Sequence, residues 1–149
     1  MPRPKKNADP KHPGWLEGFG LRMVSALSKE ETRNWRERWR RTFAVTTKQD
    51  TGRWVNGGYD WHTFSFEHAK SVAGPEAKAE YLAQPCERFV LIPDGHGSRT
   101  ESGFVVEGPH PDLGGRDMLV VPEDLQWTMA FTHEDGWLGP YFCLRDWVR

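Results

Sequence analysis

Ser28 opens the segment that most constrains what this chain can fold into. Ser28 and Glu31 have the spacing of a capping box. In that arrangement the serine oxygen accepts a free N–H of the first helical turn, and the carboxylate three residues on reaches back. Leu27, just before the cap, is placed to staple onto the same turn. Trp35, Trp39 and Phe43 then recur every four residues, which lays one aromatic stripe along a helix face. The spacing predicts a helix from Ser28 to about Phe43 with its rings turned inward, the pattern ending at Thr46 and Thr47. Such a stripe needs an apolar surface to pack on, and the second half of the chain has to supply it.

The second half reads as strands. Phe89 to Ile92, Phe104 to Val106, Met118 to Val121, Trp127 to Thr132 and Tyr141 to Leu144 are short apolar runs, each bounded by Gly, Pro or acidic turn residues. Successive strands with no helix between them favour antiparallel pairing. Tyr59 to Phe66 reads as a further short extended segment, with His62, Phe64 and Phe66 on one face and Trp61, Thr63 and Ser65 on the other. Glu67 to Val72 and Pro75 to Leu82 read as helix, Pro75 sitting where a helix start tolerates its missing N–H. Residues 1–14 hold four prolines and read as a flexible basic tail. The expected fold is α+β in one domain over 15–149, with two or three helices on one face of a four- to five-stranded, mainly antiparallel sheet.

The chain is polar, with 28% charged residues, yet it carries eight Trp and eight Phe. Each buried aromatic removes roughly 150–250 Å² from water, so a few rings replace many aliphatics in a core. Net charge is −1, but residues 1–41 carry eleven Lys/Arg against five Asp/Glu, and residues 101–149 three against nine. Cys86 and Cys143 form no CxxC pair, so neither a zinc site nor a redox pair is indicated. No apolar stretch reaches the roughly 20 residues that cross a bilayer. We expect a cytoplasmic protein with reduced thiols and no membrane contact.

No spacing here forces a chemistry, and no cofactor motif is read. The phosphate-loop pattern, the GxSxG elbow and the HExxH zinc motif are all missing. Three weaker features remain. Arg33, Arg36 and Arg40 share one flank of the helix and could face an acidic partner or phosphates, although Glu37 lies four residues from both Arg33 and Arg41 and favours a solvated, self-paired face. His62 and His133 each sit at the end of an apolar strand face, with Glu134, Asp135 or Asp60 as carboxylate neighbours. The loop Asp94 to Arg99 mixes glycine with donors and reads as a loop tip.

Two segments together resemble a known family. Trp61-His62-Thr63-Phe64-Ser65-Phe66-Glu67, followed by the helix start at Gly74 to Ala77, is similar to the middle of the family catalogued as domain of unknown function 4275. Trp127-Thr128 and the string Thr132-His133-Glu134-Asp135-Gly136-Trp137-Leu138-Gly139-Pro140-Tyr141-Phe142 resemble its carboxyl end. The resemblance covers residues 30–144 and implies a compact bacterial α+β protein. It carries over no activity.

The candidate ligand-binding residues are therefore Trp61, His62, His133, Glu134, Trp137 and Tyr141, around a loop shaped by Gly136, Gly139 and Pro140. Three functions are open. The first is a non-enzymatic intracellular protein that binds a protein partner, in the manner of immunity proteins or antitoxins. The second is a metal-assisted hydrolase using His62, His133 and Glu134, which requires the two histidines on one side of the sheet. The third is nucleic-acid binding through Arg33, Arg36 and Arg40.

Overall fold

The computed structural model describes residues 14–95, 101–134 and 136–148. Residues 1–13 of the basic tail, residues 96–100 of the polar loop, and Asp135 lie outside the described residues. A 3-10 turn over Gly14–Phe19 leads into β1 (Arg22–Ala26), followed by α1 (Lys29–Phe43), α2 (Val45–Thr51) and the single turn α3 (His62–Ser65). β2 (Val72–Ala73) and α4 (Gly74–Leu82) precede five strands: β3 (Arg88–Pro93), β4 (Phe104–Glu107), β5 (Met118–Val121), β6 (Trp127–Phe131) and β7 (Tyr141–Leu144). All seven strands form one antiparallel sheet in the order β1-β4-β3-β5-β6-β7-β2.

The capping box forms as its spacing requires. Glu31 N–H donates to Ser28 Oγ at 3.0 Å, and Ser28 N–H to Glu31 Oε1 at 2.8 Å. Thr32 Oγ1 also accepts the Gly103 N–H at 2.9 Å, which ties the helix start to the strand entering the sheet. Trp39 and Phe43 are fully buried, while Trp35 is partly buried at the rim with the Arg38 guanidinium 4.1 Å over its ring. The Trp39 indole N–H donates to Thr128 Oγ1 at 2.9 Å, and Thr128 donates onward to the Val120 carbonyl at 3.1 Å. One buried N–H thus fixes the rotation of α1 on β6 without leaving a polar group unpaired.

Helices cover both faces of the sheet, not one. Val90, Ile92, Leu119, Val121 and Cys143 pack under α1 with Trp61 and Phe64. Phe89, Leu91, Val120, Trp127, Met129 and Phe142 face the other way, against Ala77 and Tyr81 of α4 and Leu16 of the first turn. The central strands β3, β5 and β6 are accordingly apolar at successive positions, as strands covered on both sides must be.

The two strands beyond the expected five are the edges. β1 is short, is bulged between Met23 and Ser25, and ties Arg22 to Glu107; a bulge and a charge both discourage further strand addition. β2 contributes two residues beside β7. The segment expected as helix over Glu67 to Val72 is not helical. Glu67 has φ 59°, and that left-handed residue ends α3. The expected extended segment Tyr59 to Phe66 is instead a turn leading into α3. Its apparent alternation reflects two buried residues per helical turn, Thr63 and Phe64.

Candidate functional site

The site grows from one buried carboxylate. Asp94 follows β3, is 7% exposed, and accepts the backbone N–H of Asp60 at 2.7 Å and of Trp61 at 3.1 Å. No side chain of α3 itself caps its start, so an aspartate from a distant strand supplies the acceptors. Burial, and then the neighbouring Asp60 carboxylate, hold Asp94 well above the usual carboxylate range. Asp60 receives the Arg40 guanidinium in a two-pronged pair, 2.7 Å from Nε and 3.1 Å from Nη2. Arg36 donates to the Pro93 carbonyl at 2.8 Å, its Nε finds no partner among the described residues, and burial lowers its pKa.

These inward roles correct the reading of the arginine flank. Arg36 is 9% exposed and Arg40 is spent on Asp60, so Arg33 alone of the three remains exposed. The Arg40 head neutralises the buried Asp60 carboxylate, while the Arg36 head is spent on the Pro93 carbonyl.

With its backbone held, Trp61 stands fully buried and stacks on Tyr59 at 5.3 Å and on Tyr141 at 6.3 Å between ring centroids. Its indole N–H donates to Asp117 Oδ1 at 3.0 Å. Asp117 also accepts the His133 backbone N–H at 3.0 Å and lies 2.9 Å from His133 Nδ1. On the far side of the imidazole, His133 Nε2 is 3.3 Å from Glu134 Oε2. The hydrogen bond to Asp117 raises the His133 pKa above its ordinary value, against the opposing effect of burial.

His62 lies on the same side of the sheet. Its ring centroid is 4.2 Å from Trp61 and 6.0 Å from Tyr59, and Tyr59 is 5.2 Å from His133. Phe66 stacks flat on His62 at 4.3 Å and is 49% exposed. His62 Nδ1 bonds Ser65 Oγ at 2.6 Å within the same helical turn. Burial lowers the His62 pKa, and a charged His133 adds to that while Glu134 and Asp117 oppose it. Gly57 makes the packing possible: at φ 81° a Cβ would sit 2.8 Å from the His62 ring.

The loop after β6 follows directly on Glu134. Trp137 and Leu138 both donate their backbone N–H to the Glu134 carbonyl, at 2.8 and 2.7 Å, closing a tight turn. Trp137 is 82% exposed. Gly139, at φ 84°, packs where a Cβ would meet Thr132 at 2.9 Å.

Of the six candidate residues, His62, His133 and Glu134 gather on one side of the sheet and Trp137 is exposed in the turn after Glu134, while Trp61 and Tyr141 are buried beneath the histidines. β6 ends at Phe131, so His133 does not continue the Trp127, Met129, Phe131 row; Asp117 turns it to the opposite face. Tyr59, Phe66 and Asp117 were not singled out by sequence, and Asp94, expected to open a loop tip over Asp94 to Arg99, is buried, while residues 96–99 of that loop lie outside the described residues. The β5–β6 register pairs Met118 with Phe131, which sets Asp117 beside Thr132 and His133, a pairing that no local spacing reveals. Among the described residues no group of three or more His, Cys, Asp or Glu is arranged to hold a metal ion, and no helix is long and apolar enough to cross a membrane.

Comparison with known proteins gives a family and no more. The profile of the family described as "Domain of unknown function (DUF4275)" matches residues 24–142. No curated protein and no solved structure matches the chain. The match runs from within β1 to within β7 and includes every residue named around His133, and the chain belongs to the DUF4275 family.

Proposed function

We propose that this protein is a non-enzymatic binding protein, and that it receives a protein partner on the face formed by Phe66, His62, Tyr59, His133 and Trp137. One observation carries the reading. The largest exposed aromatic ring, Trp137 at 82%, sits in a turn adjoining a continuous row of ring contacts that runs from Phe66 through His62 and Tyr59 to His133. Exposed tryptophan on a rigid support is the residue most enriched at the energetic centre of interfaces. The support is rigid for a stated reason: Asp94 and Arg40 fix Trp61, and Trp61 with Asp117 fixes His133. An intracellular protein acting by surface complementarity, as immunity proteins and antitoxins do, fits this arrangement. The test is affinity capture with the full chain from native lysate. A partner retained by the wild type and by Arg33→Ala, but lost by Trp137→Ala, supports the reading. A monomeric, partner-free isolate contradicts it.

A hydrolytic reading keeps one specific support, the convergence of His62, His133 and Glu134 on one side of the sheet with the two imidazoles shifted in opposite directions. Turnover of chromogenic ester or phosphoester substrates that disappears in His133→Ala would favour it over partner binding. Nucleic-acid binding through the arginine flank has less support, since Arg36 and Arg40 are turned inward.

A further inference from the structure

The exposed tryptophan differs from the partly buried ones in one respect. Among the described residues, the four partly buried tryptophans each have a cation over the ring: Arg38 on Trp35 at 4.1 Å, Arg116 on Trp15 at 4.4 Å, Lys70 on Trp147 at 5.2 Å and Lys48 on Trp54 at 5.9 Å. Trp137, the most exposed of the large apolar side chains, has no such cation among the described residues. The carboxylate in its own turn is also under-used. Asp117 accepts three donors on one oxygen, at 2.9–3.0 Å. Glu134 has its side chain 37% exposed, with His133 Nε2 at 3.3 Å as its partner among the described residues. The nearest arginine in sequence, Arg145, donates to the Asp124 carbonyl at 3.3 Å, and Arg116 is drawn to the opposite face by Trp15. An open indole, a tyrosine ring and a partly exposed carboxylate, with the His133 imidazole between Asp117 and Glu134 and no lysine or arginine on them among the described residues, form an aromatic surface with an excess of carboxylates. A guanidinium or ammonium group is the complement to such a surface.

We propose that Glu134, Trp137 and Tyr59 form a receptor for a basic side chain, arginine or lysine, presented by the protein partner. The inference deepens the partner-binding reading and rests on it. The incoming cation lies against the Trp137 ring, bonds Glu134, and displaces His133 Nε2 from that carboxylate while Asp117 keeps the imidazole in place. Recognition is therefore of charge as well as of shape, and an acidic or neutral side chain at the same position of the partner is refused.

The experiment is an NMR titration of the full chain with Nα-acetyl-arginine amide, set against its neutral isostere Nα-acetyl-citrulline amide. The arginine probe is expected to move the Trp137 indole N–H and the His133 ring resonances at concentrations where citrulline does not. Glu134→Gln is expected to weaken the response about tenfold, the loss of one charge-assisted hydrogen bond, with the thermal midpoint unchanged. Equal responses to the two probes, an unaffected Glu134→Gln variant, or shifts confined to other acidic residues such as Asp112 and Asp124 would each overturn the proposal. If the probe fails while Trp137→Ala still abolishes partner capture, the cation inference alone falls. If Trp137→Ala leaves capture intact, the partner-binding face itself is lost.

Discussion

The Asp117 carboxylate lies 2.9 Å from His133 Nδ1, and the same oxygen holds the Trp61 indole N–H at 3.0 Å. A surface imidazole is thereby wired to a ring at the centre of the core. Asp117→Asn keeps an acceptor for the indole but removes the charge facing His133. The His133 pKa is expected to fall back toward that of an ordinary histidine. Imidazole C–H shifts followed against pH in the two proteins check it; an unchanged midpoint contradicts the assignment.

The two histidines have opposite effects on stability as pH changes. His133 has a folded pKa above its unfolded value, so its contribution is fully present below the unfolded pKa, near 6.5, and is lost as pH rises through the folded one. His62 has a folded pKa below its unfolded value, so its contribution is present above about 6.5 and is lost as pH falls toward the folded pKa. The groups facing them are Asp117, Glu134, Tyr59 and each other. His133→Gln should therefore cost more stability at pH 5.5 than at pH 8, and His62→Gln the reverse. Urea unfolding at the two pH values reads both.

The two inward arginines should answer differently to removal. Arg40 neutralises Asp60, which is 3% exposed; Arg40→Met strands that carboxylate and is expected to cost about 3 kcal/mol. Arg36 makes one hydrogen bond to a carbonyl and has an unpartnered Nε. Arg36→Met replaces a poorly satisfied cation with an apolar chain of similar length and should change stability by less than about 1 kcal/mol. Chemical denaturation compares them, and equal losses would contradict this account of the cluster.

Trp39 is fully buried and bonded to Thr128. Trp39→Ala should cost about 3–5 kcal/mol through the cavity, and Trp39→Phe about 1–2 kcal/mol, chiefly through the lost hydrogen bond. A smaller effect for alanine than for phenylalanine would show that α1 is not seated as described.

The reach of the sequence follows from locality. The Ser28 and Glu31 cap, the Trp39 and Phe43 stripe and the five apolar runs are local patterns, and each was readable. The sheet edges were not, because β2 is two residues long and β1 is bulged, so neither carries a clean period of two. The expectation of helices on one face overlooked a visible cue: Phe89-Val90-Leu91-Ile92 is apolar at both parities and so had to be covered on both sides. At the site, the string around His133, Glu134 and Trp137 gave the surface residues. Asp94 and Asp117, which hold that surface in shape, act across 33 and 16 residues of sequence, and no spacing rule reaches them. Arg36 and Arg40 misled for the opposite reason. Their periodicity described a stripe, while the Pro93 carbonyl and the Asp60 carboxylate that hold them inward lie on other elements.

The central claim is that partners are received at the turn of Glu134 and Trp137. The most direct measurement is the NMR footprint of a captured partner, unlabelled, on the isotope-labelled full chain. The account predicts that resonances of residues 59–66 and 133–138 shift or broaden while the exposed flank of α1 around Arg33 and Arg41 is unmoved. Perturbation centred on that flank, or on the β1 edge, with Trp137 unaffected, would contradict it.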